Sequence, residues 1–281
     1  MKSLKQQAIG EKKLIISLTS FPARINAVHK VIKRLLNQRV QPDKVLLFLA
    51  TPQFPNQNDD LPKRLIELAQ KDPRFEIRFL ERDTRQFKKL APALKEFPND
   101  YIITTDDDTL YRRNLISKLL ARSIQYPNAI VAGRVRFIKL DKNKNPRPYK
   151  KWWSYTIFAN WFRNGPRPRF RNLAIGMGGV LYPPNCLHQD VLSDEIFEQS
   201  KPQSEDLWHW TMAVRAGTKI AVARPYWFML GTRGSQKEAL WRTHRSKASG
   251  GKSNKDFIIE KILKEHPGIL EKLQKEGRAK C

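Results

Sequence analysis

A chain of 281 residues with 40% apolar side chains and seven tryptophans can bury a sizeable core, which excludes a disordered polyelectrolyte. Its 53 Lys and Arg against 27 Asp and Glu give a formal charge of +26, which requires an anionic partner: nucleic acid, an anionic membrane surface, or acidic small molecules such as nucleotide phosphates. No apolar run reaches the roughly 20 residues needed to cross a bilayer, and two distant cysteines, Cys186 and Cys281, exclude a disulfide framework. Met1 to Gln7 has no apolar signal core, so a cytoplasmic, reducing setting is expected.

Residues 1–13 read as a polar, basic leader. Leu14-Ile15-Ile16-Ser17-Leu18-Thr19 then reads as a strand buried on both faces, since its apolar residues run on without alternation. After a turn over 20–25, Val28, Val31, Ile32, Leu35 and Leu36 fall at helical spacing and predict a helix over 26–38. Strands follow over 45–50 and 75–80, with a helix between them over 62–70 for which Pro62 suits the first turn. A short helix over 90–97 leads to a strand over 101–105. This alternation predicts an α/β fold, its central sheet mostly parallel, doubly wound and flanked by helices.

Downstream, the pattern predicts a helix over 114–126 and a strand over 129–135. The stretch 141–171 loses periodicity and mixes Trp152, Trp153, Tyr155 and Trp161 with Lys150, Lys151, Arg163, Arg167 and Arg169. It reads either as a surface that stacks sugar or base rings or as a satellite core beneath a long loop. Gly176, Gly178 and Gly179 precede a strand, where glycine permits close approach of a ligand or a bulge. Ser204 is placed to cap a helix running to Arg215, with Glu205 and Asp206 in the first turn where the helix dipole favours acids. A short strand over 219–223, a mobile basic segment over 231–254 and an amphipathic helix over 255–265 complete the chain.

Three consecutive carboxylates, Asp106-Asp107-Asp108, follow the strand over 101–105 directly. Their mutual repulsion must be offset by a cation or by basic side chains. The C-terminal edge of a parallel strand is also where open α/β sheets bind ligands. Two readings stand: a metal–phosphate site, or a loop whose aspartate caps the next helix. No G-x-G-x-x-G follows the first strand and no G-x-x-x-x-G-K-[ST] occurs, so a nucleotide would be held by side chains and carboxylate-held metal.

Four stretches, in order, resemble bacterial GT-A fold glycosyltransferases of surface-polysaccharide (capsule or lipopolysaccharide) assembly. They are Ile16 to Ile25; Lys88 to Leu94 leading into Ile102 to Asp108, which looks like the D-x-D region; Gly178 to Pro184; and Glu205 to Ala213, which looks like the family's acidic pair on a helix. The resemblance implies a single Rossmann-like domain with a loop-rich acceptor-side region. Its nucleotide-sugar half would be 14–112 and its acceptor half 113–230, with 231–281 a mobile loop and C-terminal helix. It implies that Asp106 and Asp108 hold Mn²⁺ or Mg²⁺ against a donor diphosphate, with Asp106 alternatively on the ribose, and that His244 is a candidate further ligand. Arg24, Lys89, Asp106, Asp107, Gly178 and Gly179 become candidate donor-binding residues. Asp206, or Glu205, becomes the base that deprotonates the acceptor hydroxyl.

The implied partners are a nucleoside diphosphate sugar, a glycan or lipid-linked acceptor and an anionic membrane surface on the inner face of the cell membrane. Nucleic acid is the less favoured partner. A nucleotidyl or phosphoryl transferase, and a basic nucleic-acid-binding protein using 152–171 for stacking, are the competing readings.

Overall fold

The structure, a computed structural model, describes residues 2–154, 167–200, 202–223, 230–231 and 253–276. Helix α1 (Leu4–Ile9) stands where the sequence reads as a featureless leader, started by a capping box between Ser3 and Gln6. It belongs to the fold because Leu4, Ala8 and Ile9 pack into the apolar layer around β1 (Leu14–Thr19). Helix α2 (Pro22–Leu36) begins four residues before the expected start. Pro22 occupies its first turn, where the missing N–H costs nothing.

The first half continues with β2 (Lys44–Ala50), α3 (Lys63–Lys71), β3 (Phe75–Leu80), a 3₁₀ turn at Arg85–Lys89, α4 (Ala91–Glu96) and β4 (Tyr101–Thr104). Then come β5 (Thr109–Leu110), α5 (Leu115–Gln125), β6 (Ile130–Ala132), β7 (Val135–Phe137), β8 (Trp153–Ser154), β9 (Asn172–Ala174) and β10 (Val180–Tyr182). The chain ends with α6 (Asp194–Ser200), α7 (Glu205–Arg215), β11 (Ile220–Val222), β12 (Leu230–Gly231), α8 (Asn254–Glu265) and α9 (Pro267–Lys275).

The main sheet has seven strands in the order β11-β6-β10-β4-β1-β2-β3. β3, β2, β1 and β4 pair in parallel, as do β6 and β11, while β10 runs antiparallel between β4 and β6. Helices cover both faces. Leu14, Ile16 and Leu18 point into a layer with α2, α3 and α5. Ile15, with Leu46, Phe48 and Ile102, points into a second layer with α4, α7, α8 and α9. Burial on both sides is why these strands are uninterrupted apolar runs.

The single strand expected over 129–135 is two. The chain turns at Gly133-Arg134, leaving β6 in the main sheet and placing β7 between β8 and β9 in a second, three-stranded sheet. Helix α9 lies beyond the last predicted element and is anchored by buried Ile269 and Leu273. Ser204 occupies the N-cap position of α7, but its side chain makes no capping hydrogen bond. Trp152 is a core residue, buried among apolar side chains with its Nε1 donating to the Arg147 carbonyl at 2.7 Å, so it offers no face for stacking. The Trp153 side chain, Tyr155, Trp161 and Arg163 lie outside the described residues, as do His244 and nearly all of the segment 231–254.

Candidate active site

The carboxylates stand at the C-terminal edge of β4, beside the C-terminal end of β1. β1 and β4 pair up to Ser17 and Thr104, and the Thr105 amide extends the ladder by donating to the Ser17 carbonyl. Past that point the backbone turns and the three aspartates diverge. The Asp106 amide donates to the Tyr111 Oη at 2.9 Å, which fixes the turn.

Asp107 turns inward. It accepts from Ser20 Oγ at 2.7 Å and from Arg24 Nη1 at 2.9 Å, and only 6% of its side chain is exposed. The same Arg24 nitrogen lies 3.0 Å from Asp108 Oδ2. Burial works against the Arg24 charge, yet Asp107 and Asp108 outweigh it and raise its pKa. Arg24, in the first turn of α2, thus neutralises two of the three acids. Asp106 takes a different cation, with Lys89 Nζ at 2.7 Å from its Oδ1. Lys89 is held at the end of the 3₁₀ turn, where Ser17 Oγ donates to its carbonyl.

Lys89 is 4% exposed, and its ammonium also lies 3.1 Å from Glu205 Oε2. Helix α7, from the other half of the chain, therefore reaches the aspartate turn through one lysine. Burial would discharge Lys89, but Asp106 and Glu205 together hold its pKa above the ordinary value. One ammonium cannot fully compensate the surrounding acids. Burial pushes Glu205 up to about 8, against the pull of Lys89, so it carries a proton at neutral pH.

Burial also raises the Asp206 carboxyl, with Lys255 and the Gly176 amide opposing. That amide donates to Asp206 Oδ1 at 3.0 Å. His209 Nδ1 stands 3.7 Å from Glu205 Oε1, and burial lowers its pKa to about 3, leaving the ring neutral. Glu205, Asp206, His209, Tyr182 and Trp210 are among the residues lining a cavity of about 10 Å³, at the lower limit for one water molecule. It is too small for a sugar.

The structure thus brings together Arg24, Lys89, Asp106, Asp107, Asp108, Glu205 and Asp206 from the expected residues. The two glycines behave differently. A Cβ on Gly178 would meet the Arg134 amide nitrogen at 2.5 Å, and one on Gly179, at φ +75°, would meet Leu115 Cδ1 at 2.9 Å. Their close approach is to the chain itself. Gly176 is the glycine facing the cluster: a Cβ there would lie 3.3 Å from Lys89 Nζ and 3.6 Å from Asp106 Oδ1. Sequence reasoning named Gly176 only among three glycines that could approach a ligand, and passed over Ser20, Tyr111 and His209. His209 alone carried a signal, standing one helical turn after Glu205.

Among the described residues no group of three or more His, Cys, Asp or Glu side chains is arranged to hold a metal. The donor chemistry still fits a hard cation. Asp106 and Asp108 are 28% and 17% exposed, and Asp106 Oδ2 takes no hydrogen bond among the described residues. Mg²⁺ and Mn²⁺ suit one or two carboxylates completed by substrate phosphates.

One solved structure shares the architecture, and two others are similar at lower scores. A 4-diphosphocytidyl-2C-methyl-D-erythritol synthase from Anaerococcus prevotii DSM 20548 is 11% identical with a TM-score of 0.52, covering 82% of this chain and 94% of its own. Residues 1–349 of S. aureus TarS give 12% identity and a TM-score of 0.49 over 78% of this chain. This chain spans 60% of that structure. The complex of TarS 1–349 with UDP-GlcNAc gives 13% identity and the same TM-score over 79% of this chain and 58% of that one. At these identities the likeness concerns the fold alone. No curated protein matches the chain. Residues 24–180 match the profile of glycosyl transferase family 2, running from Arg24 through the aspartates to Val180. That span is more than half of the chain and contains the Arg24–Asp107–Asp108 and Lys89–Asp106 pairs, so the protein belongs to glycosyl transferase family 2.

Proposed function

We propose that the enzyme moves a sugar from a nucleoside diphosphate donor to a hydroxyl of a glycan or lipid-linked acceptor in surface-polysaccharide assembly, working as a peripheral protein on an anionic membrane face. The observation that carries this reading is the Asp106–Lys89–Glu205 bridge, which joins the aspartate turn of one half to the acidic helix start of the other. In this reading Asp106 and Asp108 hold Mn²⁺ or Mg²⁺ together with the donor's diphosphate. The bound cation supplies Lewis acidity against the leaving group's charge.

The chain's own residues supply the rest. Arg24 fixes the aspartate turn through Asp107 and Asp108 and places one cation beside the phosphates. Lys89 sets the spacing between donor and acceptor sides. Asp206 is the base: its Oδ1 is anchored by the Gly176 amide, and burial makes it more basic than an ordinary carboxylate. The acceptor hydroxyl gives its proton to Asp206, and its oxygen bonds to the anomeric carbon. That carbon's bond to the diphosphate oxygen breaks, and the nucleoside diphosphate leaves with the electron pair. Glu205, protonated at neutral pH, acts as a hydrogen-bond donor beside this exchange. His244 is a candidate additional ligand for the cation.

A thermal-shift series of nucleoside diphosphates, with and without Mn²⁺, tests the reading. One base is expected to stabilise the protein only with metal, by about 2.7 kcal/mol at a hundredfold excess over Kd, and Asp108→Asn is expected to abolish the effect. No response to any nucleotide would overturn it. Release of pyrophosphate in place of nucleoside diphosphate would assign a nucleotidyl transfer.

A further inference from the structure

Beside Asp206 lies a group of cations that the mechanism does not use. Arg134, at the turn between β6 and β7, faces the residue preceding Gly176, with the Ile175 amide donating to its carbonyl at 2.9 Å. Arg136 follows two positions later on β7, near enough for its charge to act on Arg134. Its guanidinium carbon sits 4.5 Å from the centre of the Tyr149 ring. Lys255, in the first turn of α8, reaches the same tyrosine from another element. Its Nζ is 4.7 Å from the ring centre and 3.2 Å from Tyr149 Oη. Of the charged groups around Asp206, Lys255 acts on it most strongly.

Among the described residues, none of the three forms an ion pair with a carboxylate, although Arg24 and Lys89 each hold two acids. Asp256, the nearest acid in sequence to Lys255, accepts from the Tyr149 amide at 2.6 Å and from Ser253 N and Oγ, as a capping carboxylate does. Arg134 is the least satisfied. Its Nε is buried without a hydrogen-bond partner, and its Nη1 contacts only the weak acceptor Met177 Sδ at 2.9 Å. Burial and the neighbouring Arg136 press its pKa down, and Tyr149 and Asp206 offset this only in part. A half-buried guanidinium cluster of this kind is costly unless an anion completes it.

We infer that Arg134, Arg136 and Lys255 form an oxyanion subsite on the acceptor side, so that the acceptor carries a phosphate or carboxylate next to the hydroxyl that is glycosylated. The subsite rests on the reading that Asp206 faces the acceptor. Its position accounts for the choice of residues. Guanidinium groups take planar oxyanions through paired hydrogen bonds, and the tyrosine ring holds Arg136 and Lys255 in place by cation–π contact. The β7–β8 connection, which supplies Tyr149, also carries Lys139, Arg147, Lys150 and Lys151.

Matched pairs of probes test this at constant ionic strength by calorimetric titration: glycerol 3-phosphate against glycerol, and glucuronate against glucose. Each is measured with and without the nucleoside diphosphate and metal that stabilise the protein. The expected result is binding of at least one anion, undisturbed by the nucleotide, and no binding of its neutral twin. Preference for glycerol 3-phosphate assigns a phosphate-bearing linker or polymer, and preference for glucuronate an acidic sugar. Arg136→Gln and Lys255→Gln are each expected to weaken the anion about tenfold, as loss of one charged hydrogen bond does, while Lys255→Arg restores it and nucleotide binding persists. Displacement of the anion by nucleotide would place these cations on the donor and overturn the subsite. Equal binding by wild type and both variants, or no anion binding at all, would also overturn it. If no nucleotide binds but the anion effect stands, donor usage fails and the subsite survives.

Discussion

Glu205 and Asp206 are adjacent in sequence, and burial raises the pKa of both, but they have different partners. Glu205, beside Lys89, is raised to about 8 from an ordinary 4.5 and holds a proton at pH 7, whereas for Asp206 the rise caused by burial is opposed by Lys255 and by the Gly176 amide. The folded state binds the Glu205 proton more tightly than the unfolded chain does, so stability is greatest below the unfolded value and declines as pH rises toward 8. Glu205→Gln is therefore expected to flatten the stability–pH curve between about 4.5 and 8, as urea titrations at several pH values will show. Activity separates the two roles. With Asp206 as base and Glu205 as donor, kcat/KM falls above about pH 8 and Glu205→Gln removes that limb, while Asp206→Asn lowers kcat by a factor on the order of 10² or more. A rate that climbs through pH 8 would instead make Glu205 the base.

The elements show how local chemistry is overruled by packing. Residues 129–135 have the β-branched character of one strand, but Gly178 lies against the backbone of Gly133 and Arg134, and the chain bends there into a second sheet. Alanine at Gly178 would drive a Cβ into that backbone, costing about 1–3 kcal/mol or more by overpacking. Alanine at Gly176 meets only the far ends of Lys89, Asp206 and Asp106 at 3.3 Å and beyond. Gly178→Ala is thus expected to lower the melting temperature, and Gly176→Ala to keep it while reducing turnover. If Gly176→Ala unfolds the protein, the site geometry described around it is wrong. The glycines could be found in the sequence, but which one faces the acids could not, because that depends on the β7–β9 pairing.

At the scale of the whole molecule, the surplus of positive charge is spread along the chain, while Asp106, Asp107, Asp108, Glu205 and Asp206 gather at one site. Among the described residues no helix is long and apolar enough to cross a membrane. Surface Lys and Arg contribute about 1 kcal/mol each to attraction toward an anionic leaflet. Co-sedimentation with phosphatidylglycerol-containing vesicles is expected to be strong at low salt and to fall as salt rises. Equal binding to purely zwitterionic vesicles would refute the peripheral role.

The sequence by itself determined the α/β class and the strands β1 to β4: burial on both sheet faces writes β1, β2 and β4 as apolar runs, and β3, at the sheet edge, alternates apolar and charged residues. It also determined the aspartate turn, since three adjacent acids in so basic a chain need a cation. It missed α1 as part of the fold and α9 altogether, short helices held by a few buried side chains. Tertiary structure alone decided that Lys89 spans Asp106 and Glu205, that Asp107 is turned inward onto Ser20 and Arg24, and that Gly176 and not Gly178 meets the acids. Each of these is a contact between residues far apart in the chain. Side-chain type and spacing carry no information about such distances until the sheet order brings the segments together.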